Sequence, residues 1–76
     1  MPLYYIHLRN GEQDVIDEEG HELPDLESAR RRALKAAGEI IADEMAQGRE
    51  SIRIVLIVES EDGERLLELP IAVFAG

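Results

Sequence analysis

Two histidines and a group of carboxylates are the side chains of this sequence that could bind a metal ion. His7 lies in a segment of alternating aromatic and aliphatic residues, and His21 lies just ahead of a long helical pattern. Together with Glu22 or Asp17, the two imidazoles would be enough for a weak zinc or nickel site. The alternative is that His7 is half-buried with a hydrogen-bond partner and that His21 lies on the surface. We favour this alternative and predict no metal ligand.

An acidic run precedes the helical pattern and raises the question of calcium binding. Between residues 12 and 27 it contains eight carboxylates and no lysine or arginine. If Gly20 took the sixth position of an EF-hand loop, Val15 and Leu26 would occupy the two anchoring ligand positions, which excludes that motif. Irregular cation binding stays open as an alternative. We favour a solvated acidic loop that keeps a small protein dissolved.

Nucleophilic catalysis is not supported by the remaining residues. The chain has no cysteine, which excludes a thiol nucleophile, a thiolate metal site and a disulfide framework. Ser28, Ser51 and Ser60 fall at a helix start, a strand start and a turn, without a glycine-flanked elbow or a base at a recognisable spacing. We therefore predict a protein that is not an enzyme, with no catalytic residue and no cofactor.

Half of the basic residues are concentrated in the first part of the helical pattern. They are Arg30, Arg31, Arg32 and Lys35. Positive charge is not favoured at that end of a helix, so these residues are candidates for binding an acidic protein, a phosphate or a nucleic acid. We favour neutralisation within the helix, because Glu27 lies four residues before Arg31 and Glu39 four residues after Lys35. The net charge of -9 also disfavours nucleic acids and anionic membranes as partners.

The helical pattern runs from Asp25 to Gly48. Apolar residues recur at three- and four-residue steps from Leu26 to Met45, which predicts one amphipathic helix. Asp25 can cap its start, and Gly48 occupies the usual left-handed position after its end. Gly38 in its middle costs about 1 kcal/mol relative to alanine. Either packing compensates for that loss, or the missing side chain lets a strand approach closely.

Strand patterns flank the helix on both sides. They cover Leu3–Arg9, Asp14–Asp17, Ile52–Glu59 and Glu64–Phe74, with turns at Asn10-Gly11, Glu18-Glu19-Gly20 and Asp62-Gly63. The order β-β-α-β-β predicts a two-layer α+β fold, in which a four-stranded antiparallel sheet of order 2-1-3-4 packs on one long helix. Pro70 removes a ladder donor and favours an edge position for the last strand. We expect a single domain over residues 1–76.

The strands carry more apolar surface than one helix can cover. A helix about 10 Å across covers roughly two strands spaced ~4.8 Å apart, yet apolar side chains occupy both faces of the last two strands. Exposed apolar patches usually mark an interface. We therefore predict a homodimer or larger homo-oligomer, formed through the sheet face or by pairing of edge strands, with Val55, Ile57, Leu66 and Phe74 at the interface. The alternative is that these side chains are scattered, or are covered by the C-terminal tail.

The N-terminal motifs resemble a known family. The segment Pro2–Gly11 reads PLYYIHLRNG, and Asp17-Glu18-Glu19-Gly20 is followed by the segment Glu22–Glu27, ELPDLE, and an alanine- and arginine-rich helix. This pattern is similar to a family of small uncharacterised domains common in rhizobia and other alphaproteobacteria. The resemblance implies a bacterial, cytoplasmic protein and brings no established activity or site residue.

A further resemblance is to the partial RNase-H-like fold of HicB-type antitoxins. It is carried by Pro24-Asp25-Leu26 ahead of an alanine-rich helix, although the Pro-Gly-Cys continuation typical of those proteins is missing. We hold two hypotheses on function. The first is a non-enzymatic, homo-oligomeric protein-interaction module of the cytoplasm, since no apolar stretch approaches the ~20 residues of a membrane helix. The second is an antitoxin-like or regulatory protein that binds a basic toxin or a nucleic acid.

Overall fold

The computed structural model describes residues 1–11 and 13–75, in which one helix packs on an antiparallel sheet. The elements are, in chain order, β1 (Leu3–Asn10), β2 (Gln13–Val15), β3 (His21–Glu22), α1 (Leu26–Ala46), β4 (Ser51–Ser60) and β5 (Arg65–Phe74). The predicted α+β class, with one helix and an antiparallel sheet, is confirmed. Within these described residues, no helix is long and apolar enough to cross a membrane.

Both ends of α1 are capped as the sequence predicts. Asp25 has an extended backbone, and its Oδ1 accepts a hydrogen bond from the Ser28 N–H at 2.8 Å. This hydrogen bond also lowers the pKa of Asp25. At the other end Gly48 takes the left-handed conformation, with a φ of 91°. Its N–H and that of the following residue bond to carbonyls of the last helical turn, which is the pattern of a Schellman cap.

The sheet contains one strand more than the sequence predicts. Its order is β2-β1-β4-β5, and β3 pairs with β1 on the same edge as β2. The prediction of a four-stranded sheet of order 2-1-3-4 is therefore corrected. The sheet has a fifth strand, β3, which shares the outer edge of β1 with β2. The added strand joins His21 to Tyr4 and Glu22 to Leu3. A two-residue ladder is too short to produce a recognisable strand pattern in a sequence.

The core lies between α1 and the two strands beneath it, β1 and β4. The largest fully buried side chains are those of Ile54, Leu56 and Val58 in β4. The buried residues of α1 are Ala29, Ala33 and Ala37. Their four-residue spacing places them on one stripe of the helix, and their small side chains let α1 approach the sheet closely. One helix thus covers one face of two strands, as its width predicts.

A bulge interrupts the regular alternation of β5. Val58 is paired with Leu67 and Glu59 with Arg65, so that Leu66 is an extra residue in this strand. Both leucines pack against the core. Leu66 therefore does not share the face of Val55, on which the simple alternation of the sequence had placed it. The bulge shifts the alternation by one residue, and it depends on pairing with β4 that the local sequence does not reveal.

Candidate functional site

We call the side of the sheet that faces away from α1 the open face. Strand alternation and register place on it Tyr5, His7 and Arg9 of β1, then Arg53, Val55, Ile57 and Glu59 of β4, and Arg65, Glu68, Pro70, Ala72 and Phe74 of β5. Among the described residues no second helix covers this side. The open face is therefore the surface on which the functional prediction depends.

The centre of the open face is apolar, and its borders are charged. Val55 lies directly opposite Pro70 in the β4–β5 register, and the neighbouring Ile57 is 7% exposed. Phe74, near the end of β5, is 67% exposed. The Arg53 guanidinium carbon lies 5.7 Å from the centre of the Phe74 ring, which is within cation–π distance. An apolar centre within a charged border is the usual layout of a protein interface.

Three of the four predicted interface residues share the open face. Val55 and Phe74 leave part of their apolar surface accessible, whereas Ile57 is buried by neighbours within the chain. Leu66 lies apart from them, against the core. The role of these residues in an interface stays a prediction.

A groove of about 190 Å³ lies on the open face. Its lining includes His7, Arg9, Asp14, Ile57, Glu59 and Arg65. Arg9 is paired with Asp14 and Arg65 with Glu68, each at 3.1 Å. All four of these side chains are more than half exposed, so the ion pairs contribute little stability and can rearrange. The groove therefore combines an apolar floor with exposed charges of both signs.

His7 is held by partners on both ring nitrogens. The Asp17 backbone N–H donates to Nδ1 at 3.1 Å, so that Nδ1 must be the unprotonated nitrogen. The proton then lies on Nε2, which is 2.6 Å from Glu59 Oε1 and donates to it. The His7 ring also stacks on Tyr5, with ring centres 6.5 Å apart. The prediction of a half-buried histidine with a hydrogen-bond partner is confirmed.

Asp17 is the polar residue on which the edge of β1 depends. Its Oδ2 accepts from the Ile6 N–H at 3.1 Å, and its Oδ1 accepts from the N–H groups of Gly20 at 2.9 Å and Glu19 at 3.3 Å. Burial raises the pKa of Asp17, but these N–H groups and the nearby His21 lower it by more, so the pKa lies below its ordinary value. The carboxylate thus replaces a strand partner in the gap between β2 and β3.

From the sequence, Asp17 was considered only as a candidate metal ligand, and its hydrogen bonds to the backbone were not predicted. The spacing of Asp17 and Gly20 is the available signal, since an aspartate followed by a glycine favours a turn closed by the carboxylate. The contact with Ile6 has no such local signal. It depends on β2 and β3 both leaving the edge of β1 unpaired at that residue.

The two histidines are joined through Asp17 but do not form a metal site in the described part of the chain. His21 Nε2 lies 3.3 Å from Asp17 Oδ2, and His21 Nδ1 lies 3.5 Å from an Arg32 guanidinium nitrogen. Among residues 1–11 and 13–75 no group of three or more histidine, cysteine or carboxylate side chains could hold a metal ion. The ring nitrogens that a metal would need are instead engaged within the protein.

The basic cluster of α1 is partly neutralised by its neighbours. Glu27 pairs with Arg31 at 3.5 Å, as the sequence predicts, and also with Arg30 at 3.3 Å. Arg32 contacts His21, and the predicted pair of Lys35 with Glu39 is not among the ion pairs of the described residues. The part that these basic residues play in binding a partner stays a prediction.

Comparison with known proteins identifies the family and adds no activity. No curated protein and no solved structure matches the chain. One family model, described as a domain of unknown function (DUF6894), matches residues 3–72. The match confirms the resemblance to an uncharacterised domain family, and it spans every strand and the helix except the last two residues of β5. The chain therefore belongs to the family DUF6894.

Proposed function

We propose that this protein is a non-enzymatic, homo-oligomeric protein-interaction module that dimerises through the open face. The observation that carries the proposal is that the exposed Phe74 and the apolar Val55–Pro70 pair share the side of the sheet away from α1. Association would bury this surface and remove it from water. A small domain without disulfides also gains stability in this way.

The side chains best suited to acid–base chemistry or metal binding, those of His7 and Asp17, form hydrogen bonds within the fold. His7 bonds to Glu59 and to the Asp17 backbone, and the Asp17 carboxylate binds backbone N–H groups of its own loop and of β1. Both residues therefore hold the sheet edge together, which supports a binding module over an enzyme. The charged border of the open face would set the orientation of the partner, since charged rims contribute specificity more than affinity.

Pairing of sheets through the β5 edge is the less favourable route to a dimer. β5 is the outer strand of the sheet, but Pro70 in its middle has no N–H to donate. Proline is a common device that prevents edge strands from pairing with another chain. Packing through the open face requires no such donor, so we place the interface there.

The proposal predicts a dimer that depends on Phe74. Gel filtration coupled to light scattering should give twice the monomer mass for the wild-type protein between about 10 and 500 µM, in the range of ordinary dimer affinities. The Phe74→Ser variant removes the exposed aromatic ring and should shift the mass towards the monomer. Its fold should persist, because a side chain that is 67% exposed contributes little to the core.

Met45→Ser is the matched control for Phe74→Ser. Met45 is an exposed apolar residue of α1, 44% exposed, and it lies away from the open face. This variant should keep the dimer mass. A monomeric wild-type protein over the whole concentration range would refute the proposal, and so would a dimer that Met45→Ser dissociates and Phe74→Ser leaves intact.

A further inference from the structure

We infer that the outer edge of β1 binds a basic segment of a partner protein, in which an apolar residue lies next to lysine or arginine. The segment occupies a groove of about 440 Å³, the edge groove, whose lining includes Ile6, Val15, Ile16, Glu18 and Glu19. The edge groove and the groove of the open face have only Ile16 in common. The inference therefore goes beyond the proposed function and does not depend on the dimer.

Two exposed aliphatic side chains form one wall of the edge groove. Val15, the last residue of β2, is 59% exposed, and Ile16, which follows it, is 61% exposed. Single exposed apolar residues are common on protein surfaces, but these two are adjacent and line the same groove as the partly buried Ile6. A contiguous apolar patch of this kind favours contact with apolar atoms of a partner.

Asp17 occupies N–H groups of the edge groove and leaves a backbone carbonyl open. Its carboxylate accepts from the N–H groups of Ile6, Glu19 and Gly20. The N–H and C=O of one residue point to the same side of an antiparallel strand, so the Ile6 C=O also faces the gap between β2 and β3. No N–H of the described turns and loops donates to this oxygen. Lysine and arginine side chains carry donors and no acceptor, which suits them to this gap.

The negative charge around the edge groove is not balanced by neighbouring cations. Glu18 and Glu19 are exposed, and neither belongs to the ion pairs of the described residues. No lysine or arginine occurs in the sequence between residues 10 and 29. The cation that comes near is Arg32 of α1, which contacts His21 at the β3 end of the groove. A cationic partner complements the two free carboxylates.

A segment with lysine or arginine next to an apolar residue matches both properties of the edge groove. Its apolar atoms, including the aliphatic part of the basic side chain, can cover Val15 and Ile16, while the charged end reaches Glu18 or Glu19. The same carboxylates repel a nucleic acid or an anionic membrane. The chemistry of the groove therefore selects a basic protein segment.

Peptide titration followed by NMR tests the inference. The probe is the peptide KLKLK with blocked ends, added to the isotope-labelled protein at about 50 mM salt, where charges are weakly screened. We expect a Kd on the order of 0.1–1 mM, in the range of a short linear segment. The amide shifts should be concentrated at Ile6 and residues 15–21. Raising the salt to about 500 mM should raise the Kd at least threefold, because the carboxylates are then screened.

Two further peptides separate charge from apolar contact. KSKSK keeps the three lysines and lacks the leucines, so it should bind at least about tenfold more weakly. ELELE keeps the leucines and reverses the charge, so it should not bind.

Variants of the edge groove test both of its parts. The double variant Glu18→Gln/Glu19→Gln removes the two free carboxylates, and Ile16→Ser removes an exposed aliphatic side chain. Each should raise the Kd of KLKLK by about 5- to 20-fold. The fold should persist in both, because all three residues are exposed.

Matched controls lie elsewhere on the surface. Asp62→Asn/Glu64→Gln removes two charges at exposed positions of the turn between β4 and β5, and Met45→Ser removes an exposed apolar side chain of α1. Both should leave the Kd of KLKLK unchanged. Phe74→Ser should also bind KLKLK like the wild type, because Phe74 lies on the open face.

Three results would overturn the inference: no binding of KLKLK, equal binding of KSKSK and KLKLK, or an equal loss of affinity in the two double variants. Amide shifts centred on Ile57 of the open face would do the same. None of these results bears on the mass of the protein, so the proposed dimer would stand. A monomeric wild-type protein that binds KLKLK in the edge groove would refute the dimer and support the inference.

Discussion

Asp17 stabilises a segment that has little regular structure of its own. Its carboxylate accepts from Ile6 on β1 and from Gly20 in its own turn, and its N–H donates to His7. Gly20 is suited to this turn because its φ is 77° and an added Cβ would lie 3.0 Å from Leu3 Cγ. One aspartate and one glycine thus close the gap between β2 and β3 along the edge of β1.

Replacing Asp17 by asparagine should lower the free energy of unfolding at neutral pH by about 1–3 kcal/mol. Both carboxylate oxygens accept from backbone N–H groups, Oδ2 from Ile6 and Oδ1 from Gly20. An asparagine has a single oxygen, so its NH₂ group would face one of these donors in either orientation. Urea denaturation followed by circular dichroism measures the change.

The same variant should change the acid dependence of stability. The folded pKa of Asp17 is lowered, so the unfolded state binds the proton more readily. The stabilisation is therefore complete above about pH 5 and is lost as the pH falls through the folded pKa. Wild-type stability should decline more steeply on acidification than that of Asp17→Asn. Glu18→Gln, at an exposed neighbour, should match the wild type in both respects, and an Asp17→Asn protein that does so would contradict the assigned role.

At the scale of the elements, α1 depends on its caps and on a stripe of alanines. Ala29, Ala33 and Ala37 are at most 1% exposed, so that the helix contacts the sheet through its smallest side chains. Gly38 follows this stripe but lies on the exposed side of α1. A Cβ added at Gly38 would meet no atom within 4 Å, so the interpretation that a strand approaches closely there is wrong.

The Gly38→Ala variant should therefore raise the free energy of unfolding by about 1 kcal/mol, because alanine loses less backbone entropy in a helix and no neighbour obstructs it. Thermal or urea unfolding provides the measurement. Gly48→Ala is the contrasting variant: Gly48 has a φ of 91°, where a Cβ is strained, so this substitution should be destabilising. A loss of stability in Gly38→Ala would contradict the open space around Gly38.

At the scale of the whole molecule, the described chain forms two layers and no third. The Cα atoms of the described residues span 41 × 21 × 17 Å, and the shortest dimension suits one helix on one sheet. A domain of this size buries only about 60% of the surface of its unfolded chain. Burying the open face against a second copy would add apolar burial that the fold itself does not supply.

Dimerisation should make the thermal stability depend on protein concentration. If the folded protein dimerises and the unfolded chain does not, mass action raises Tm with concentration, by about 5 °C between ~10 and ~1000 µM for a chain of this length. Differential scanning fluorimetry and calorimetry cover this range together. The Tm of Phe74→Ser should stay nearly constant over the same concentrations. An equal concentration dependence in the variant and the wild type would place the interface elsewhere.

The sequence alone determined the helix, its two caps and the three long strands, whereas the second strand covers Gln13–Val15 instead of the expected Asp14–Asp17. Those features follow from local properties: the three- and four-residue apolar steps of residues 26–45, the side chain of Asp25, the freedom of Gly48 and the apolar runs of the strands. The same patterns predicted an apolar side of the sheet opposite the helix, and Val55 and Phe74 do lie there.

Only the tertiary structure decided which side chains meet. Leu66 packs against the core, and not on the predicted face, because a bulge against β4 adds one residue to β5. Asp17 became the bridge to Ile6 because β2 and β3 leave that part of β1 unpaired. Likewise, Val55 lies opposite Pro70 at the centre of the open face only because of the β4–β5 register. Each of these contacts depends on strand register, which joins residues distant in sequence and leaves no local pattern to read.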